Sequence, residues 1–276
     1  MNSPVSFQFG ENWEDYSRLV GPEQLGAAEA ELRRLLPELS MWYPREPPRF
    51  VDVGCGSGVH AIVAAQLGAN VQAIDVDPVS VRTARSLMNR FGSGLTVDAV
   101  RRSVLEDLSR EVGTFDFVYS WGVLHHTGNV WLALENAAKL LRPAPTSRLA
   151  LALYRPTRLD LFWRAEKRAY TRASASTRRI VERVATTLWD TLRLAKGITP
   201  SRYRSEYSGR RGMSYDHDVR DWLGGYPYET VARDDLVRFM SDRGLVLERE
   251  FVKAQSRVPL GIAGSGCDEF VFRWTE

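Results

Sequence analysis

An apolar run that ends in three glycines at alternate positions constrains this chain more than any other stretch. It covers residues 51–58, Val-Asp-Val-Gly-Cys-Gly-Ser-Gly. Phe50, Val51 and Val53 read as a buried parallel strand, and the glycines as a tight turn that opens a helix over residues 60–67, stopped by Gly68. Glycine is required where φ turns positive or where a ligand must approach bare backbone. Asp52, inside an otherwise apolar strand end, is costly to bury unless it accepts hydrogen bonds from the loop or from a ligand. The spacing is neither of the common phosphate-binding fingerprints. A dinucleotide loop would place its third glycine at position 59, which is Val59, and the Gly-Lys-Ser/Thr ending of a P-loop is absent.

A second signal follows at a telling distance. Residues 71–75 form a short strand ending in Asp75, about 20 residues beyond the first glycine, where doubly wound folds place a carboxylate on a ribose diol. Asp77 and Pro78 then supply an N-cap and a first-turn proline for a helix reaching Phe91. A strand, an acidic residue, Gly-x-Gly-x-Gly and a carboxylate closing the next strand resemble the class I S-adenosylmethionine-dependent methyltransferases over residues 50–155. The resemblance implies an α/β, Rossmann-like, doubly wound seven-stranded sheet with its last strand antiparallel. It also implies that S-adenosylmethionine binds at Asp52, Gly54, Gly56, Gly58, Asp75 and Val76.

Further along, a weak strand over residues 95–100 leads to Ser103 and Val104, where the wider superfamily often has an acidic residue facing adenine; here Ser103 takes that place. Residues 115–120 read as a buried strand, and the run Phe-Asp-Phe-Val-Tyr-Ser-Trp-Gly-Val-Leu-His-His-Thr-Gly (115–128) resembles one bacterial methyltransferase subgroup, as does Phe-Gly-Glu-Asn-Trp (9–13) near the start. Ligands bind outside the carboxyl ends of strands in open α/β sheets, so residues 120–127 are expected beside the glycine loop, with Ser120 and Trp121 on the methionine part of the cofactor. The aromatic residues Phe9, Trp13 and Tyr16 are expected to form a lid, with Trp13 against the cofactor. A helix over 130–141, with Trp131, Leu134, Ala138 and Leu141 as its apolar stripe, precedes a fifth strand over 148–154.

An insertion with helical periodicity then runs from Arg155 to about Arg211. Ser174 or Ser176 caps a helix whose expected apolar face is Val181, Val184, Ala185, Leu188 and Leu192, read here as a packed cap helix rather than one lying on a membrane. Residues 211–228, dense in His, Asp, Trp and Tyr, read as an irregular functional loop. A helix over 234–243 and two alternating strands, 245–253 and 269–274, complete the sheet. The expected organisation is an aromatic lid and helix (1–48), a cofactor-binding core (49–155), a helical cap with a substrate loop (156–230) and a closing helix and strand pair (231–276).

Methyl transfer from a sulfonium is a displacement that needs positioning and, for a hydroxyl acceptor, a base. His126 and His125 are the first candidates, since neutral imidazole is a competent base near pH 7. The resemblance favours His126, because a histidine at that place lines the substrate site of quinone-biosynthesis methyltransferases. Some of those enzymes add glutamates that hold a metal; here the neighbours are His125 and Gly122, so no metal is expected. His217 with Asp218 is the alternative, and Tyr154 and Tyr215 are candidate substrate contacts. The acceptor is expected to be a small molecule methylated on oxygen; N- or C-methylation of a peptide, amine or acidic metabolite stays open, as does a methyltransferase-like protein without activity. A nucleotide oxidoreductase fits the glycine spacing poorly.

The net charge of +3 conceals an asymmetry: residues 155–211 hold 15 Lys/Arg against 5 Asp/Glu, a local net of +10. No nucleic-acid module accompanies it, and no nucleic-acid partner is expected. No apolar run suffices to span a bilayer, no signal peptide is recognised, and Cys55 and Cys267 make neither a disulfide framework nor a zinc site. A cytoplasmic enzyme is expected.

Overall fold

The computed structural model describes residues 7–41, 46–195, 197–211, 214–252, 259–262 and 264–275. Its strands are β1 (Arg49–Val53), β2 (Asn70–Asp75), β3 (Val97–Arg101), β4 (Phe117–Trp121), β5 (Arg148–Tyr154), β6 (Leu245–Phe251) and β7 (Cys267–Trp274). They form one sheet in the order β3-β2-β1-β4-β5-β7-β6, with every pair parallel except those made by β7. The order reverses between β1 and β4, and it is outside the carboxyl ends of strands at such a switch point that ligands bind.

Both faces of the sheet are covered, which is why its central strands are apolar throughout. Phe50 of β1 packs with Phe117 and Tyr119 against α1 (Phe9–Ser17), α2 (Pro22–Leu35), α3 (Pro37–Ser40), α4 (Val59–Gln66) and α5 (Pro78–Phe91). Val51 and Val53, one residue out of phase, pack on the opposite side against residues flanking α6 (Ser109–Val112) and against α7 (Val130–Lys139) and α12 (Arg233–Ser241). Asp116, just ahead of β4, is buried yet satisfied: it accepts from the Arg49 amide at 2.8 Å and pairs with Arg142 at 2.9 Å. Capping follows the side chains available. Asp77 accepts from Val79 N–H at the start of α5, and Asn129 accepts from Leu132 N–H at the start of α7.

Between β5 and α12 stand α8 (Asp160–Arg172), α9 (Ala175–Leu194), α10 (Pro200–Arg211) and α11 (Tyr215–Gly224). They hold a separate small core of Tyr170, Tyr207, Tyr215, Val219 and Leu223. Residues 215–224 are therefore a helix, not the irregular loop expected from composition. Tyr215, Val219 and Leu223 recur every four residues and are all buried, but the charged residues between them hide the stripe. Two other apolar faces are also redrawn. α7 buries Val130, Ala133, Leu134, Ala137 and Ala138 and leaves Trp131 38% exposed, resting on Phe239. In α9, capped by Ser174, Val181 and Ala185 turn inward with Trp189, whereas Val184, Leu188 and Leu192 face out.

Gly58 sits at φ 80°, and a Cβ there would lie 2.9 Å from Ala84 Cβ and 3.2 Å from Ala84 Cα, on the backbone of α5. Gly58→Ala should therefore destabilise the fold by about 1–3 kcal/mol, lowering Tm by roughly 2–10 °C. Thermal melts with and without adenosylhomocysteine should show the same loss, since the position shapes the loop rather than walling the cavity.

Candidate functional site

The glycine loop is built by backbone bonds that leave its concave side open. Gly54 and Cys55 N–H both donate to Ile74 O, at 2.8 and 3.1 Å, which pins the turn to the end of β2. Gly54, Gly56 and Gly58 all take positive φ, 76°, 53° and 80°. Gly56 N–H donates to Asp75 Oδ2 at 3.0 Å and Asp77 N–H to Oδ1 at 2.8 Å, so the Asp75 carboxylate is aimed by two amides. Burial nevertheless pushes the Asp75 carboxyl up to about 6. Asp52 is more deeply buried, and burial, helped by the charge of Asp75, pushes it up to about 7.

Above this loop lies a cavity of about 1170 Å³, ample for a nucleoside and a second molecule. Gly54, Asp52, Asp75, Val76, Ser103 and Val104 form one wall. Trp121 and Tyr154, at the ends of β4 and β5, form the next. Tyr215 and Asp218 come from the cap. These are expected site residues that the fold brings together. Three others stand behind the wall. Gly56 lies beneath the Trp13 indole, where a Cβ would come within 2.7 Å of the ring, and Gly58 packs on α5. Ser120 is fully buried and donates through Oγ to Val53 O at 2.9 Å, tying β4 to β1.

α1 spans the cavity from core to cap. Gly10 N–H donates to Asp77 Oδ2 at 3.0 Å on the core side. On the cap side Asn12 Nδ2 donates to Asp221 Oδ1 at 2.7 Å and to His217 O at 3.0 Å. Phe9 and Trp13 line the cavity between these clamps, with Phe9 5.2 Å from the His126 ring.

The three candidate histidines separate by geometry. His126 lines the cavity, and its Nδ1 stands 2.7 Å from Pro227 O. A carbonyl only accepts, so Nδ1 carries the proton and Nε2 keeps the lone pair. Burial pushes this imidazole down to about 4, leaving it neutral at physiological pH. His125 is wholly buried, stacks 3.8 Å from Tyr154 and accepts from Tyr154 N–H through Nδ1; it does not line the cavity. His217 is clamped on both ring nitrogens, by Ser214 Oγ at 2.7 Å and Asp15 Oδ2 at 3.2 Å, and also stands outside the cavity. The fold thus places His126 on the cavity and His125 and His217 away from it. His125 orders the strand end, and His217 fastens the lid helix to the cap.

The structure adds residues that the sequence did not single out. Asp221 lines the cavity beside its lid partner Asn12, and burial pushes its carboxyl up to about 8, so it keeps a proton at neutral pH. Arg193 reaches the same space, donating to Tyr215 Oη at 2.8 Å and stacking 3.9 Å from Tyr203. Their separation in sequence from residues 50–128 left no local signal.

Residues 50–144 match the family model described as a methyltransferase domain. Over 100 residues, 36% of this chain and 38% of the relative, the chain is 40% identical to the ubiquinone biosynthesis O-methyltransferase of Methylocella silvestris. Over 115 residues, 38% of this chain and 36% of the relative, it is 32% identical to the ribosomal protein L11 methyltransferase of Ruminiclostridium cellulolyticum. The matches thus span less than two fifths of these relatives' length. Among solved structures it is similar to magnesium protoporphyrin IX methyltransferase from Synechocystis PCC 6803 with bound SAH, at TM-score 0.52 and 16% identity, over 92% of this chain and 84% of that one. It is also similar to PKMT2 from Rickettsia typhi in complex with AdoHcy, at TM-score 0.58 and 13% identity, over 100% of this chain and 55% of that one. At such identities the likeness is one of fold. Strand order and glycine loop agree with the family match, which gives residues 50–144 as a methyltransferase domain.

Proposed function

We propose that the chain methylates a hydroxyl of a small molecule held between lid and cap, with His126 as the base and S-adenosylmethionine as donor. The observation that carries this reading is a single cavity reached both by the glycine loop with Asp75 and by His126 with its Nε2 unprotonated. The division of labour follows the four parts expected from the sequence, with residues 1–48 as aromatic lid and helix, 49–155 and 231–276 as core and 156–230 as the cap over the acceptor.

In this reading Asp75 accepts both ribose hydroxyls, Ser103 and Val104 face the adenine, and Asp52 with Trp121 borders the methionine end. His126 Nε2 takes the acceptor's proton as its oxygen bonds to the methyl carbon. The carbon–sulfur bond breaks with its electron pair passing to sulfur, and adenosylhomocysteine leaves neutral at sulfur. Asp221, protonated, offers the acceptor a hydrogen bond from the cap. Closure of α1 excludes water, so that developing charge is met by fixed groups.

Incubating the protein with S-adenosylmethionine and a panel of phenols, hydroxy acids and amines, read as adenosylhomocysteine released, tests the proposal. Turnover on hydroxyl acceptors supports it; turnover confined to amines, or none on any acceptor, contradicts it.

A pH dependence follows from the two raised carboxyls. A cationic donor favours ionised Asp52 and Asp75, whose values in the free protein are about 7 and about 6. Binding S-adenosylmethionine should therefore release protons, and affinity should rise with pH from about 5 to about 7, by at most tenfold per unit and titrating group, then level off. Without ligand the sign is opposite. Folded values above the ordinary 3.8 mean that stability falls as pH rises from about 3.8 to about 7. Calorimetry in buffers of different ionisation enthalpy, beside melts of the free protein, measures both.

A further inference from the structure

α9 leaves an apolar row uncovered on the outside of the cap. Ile180, Val184, Leu188 and Leu192 follow at intervals of four residues and are 62, 63, 55 and 47% exposed, with Leu194 beside them at 53%. Single exposed leucines are ordinary, but an unbroken helical row is a patch that marks an interaction surface. The packing of this helix is already satisfied on its other side, where Val181, Ala185 and Trp189 enter the core of the cap.

Charge says what covers the row. Residues 155–211 carry 15 Lys/Arg and 5 Asp/Glu. Of the four acids whose side chains are described, three are hydrogen-bonded or ion-paired and Glu166 is half-buried. Asp160 accepts from Thr157 and Thr230, and Glu166 lies beside buried Lys167. Glu182 accepts from Tyr170 and pairs with Arg220, and Asp190 pairs with Arg193 and Arg204. Arg179 and Arg183, at the edge of the apolar row, are exposed. The outward field is thus positive around an apolar stripe. A second copy seated here would bring two segments of net charge +10 face to face. A bare polyanion would leave the stripe in water.

We propose that this face of α9 seats the cap on an anionic lipid surface, with the apolar row entering the headgroup boundary and Arg179 and Arg183 meeting lipid phosphates. Amphipathic helices with this division lie in the interface plane, and basic side chains near an anionic leaflet add attraction that salt screens. The helix is 20 residues long, and among the described residues no helix is long and apolar enough to cross a membrane, so it rests on the bilayer. Its inner side, through Trp189 and Arg193, borders the cavity. The lipid seat is then one helix diameter, about 10 Å, from the acceptor space. The proposal does not depend on the methyltransferase reading.

Flotation of the full chain with vesicles of phosphatidylcholine and phosphatidylglycerol (70:30), against pure phosphatidylcholine, tests it. Binding to the anionic vesicles should exceed that to neutral ones at least tenfold and weaken in 0.5 M NaCl. Val184→Asp with Leu188→Asp, both at exposed positions, should reduce it at least tenfold with Tm and adenosylhomocysteine affinity unchanged. Arg179→Glu with Arg183→Glu should abolish the preference for anionic lipid. No flotation, or undiminished flotation of the Val184/Leu188 variant, overturns the proposal. So does a dimer in sedimentation velocity that the same double substitution dissociates, which would give the face to a second copy.

Discussion

His126→Ala should lower kcat by about 10²–10⁴-fold, the usual worth of a positioned general base, while the Kd for adenosylhomocysteine stays within about twofold. His126 Nδ1 is committed to Pro227 O, and the ring lines the cavity with the Gly225 backbone against it. Because burial holds the imidazole at about 4, activity should be lost on the acid side as pH falls through about 4, not near 6.5 where an exposed histidine titrates. His126→Asn keeps a hydrogen bond but no basicity and should be nearly as poor as alanine. His217→Ala is the contrasting variant. It releases Asp15 and Ser214, so it should loosen the lid and leave the acid limb of the pH–rate profile in place. If His126→Ala turned over at the wild-type rate, the acceptor would be a group that needs no base, such as a free amine, and the hydroxyl assignment would be wrong.

Trp13→Ala should weaken adenosylhomocysteine binding by about 10–100-fold, the scale expected when a ligand is deprived of one large aromatic wall. The indole stands directly over Gly56, the loop the cofactor must use, and borders the cavity. It also packs on the edge of the core, with Tyr16 at 5.8 Å in an edge-on arrangement, so its structural share has to be measured beside the binding loss. Deleting the whole segment is a poorer probe, because Tyr16 and Val20 are core residues and Asn12 holds the cap. Isothermal titration beside thermal melts separates the two roles. A large loss of affinity with a small change in Tm marks a lid, and equal losses in both mark a structural anchor.

What was legible in the sequence was local. The glycine loop, the carboxylate closing β2 and the Asp77-Pro78 start of α5 are each written within a few residues, because turn and cap chemistry act over that range. β5 is readable residue for residue, since a strand buried on both faces is a continuous apolar run. The histidines were not separable in the same way. His125 and His126 are adjacent in sequence, and only the Pro227 carbonyl, which arrives from 101 residues away, distinguishes their roles. His217 resembles a catalytic residue until Asp15 is seen on its ring. α11 escaped notice because its buried stripe is three residues long amid charges; α9 was legible as a capped helix, but not its inner face, because its apolar residues divide between the cap and the outside. Asp221 owes its place in the site to burial by the lid helix, a tertiary effect with no local mark.

The most direct test of the account is a calorimetric titration of S-adenosylmethionine into the wild-type chain and into Asp75→Ala at pH 7.5. One site per chain is expected for the wild type. The variant, which removes the carboxylate proposed to accept both ribose hydroxyls, should bind more weakly by about 1.5–3 kcal/mol, or roughly 10–150-fold. Equal affinity in the two proteins, or no binding by the wild type, would contradict the assignment of this cavity to the methyl donor.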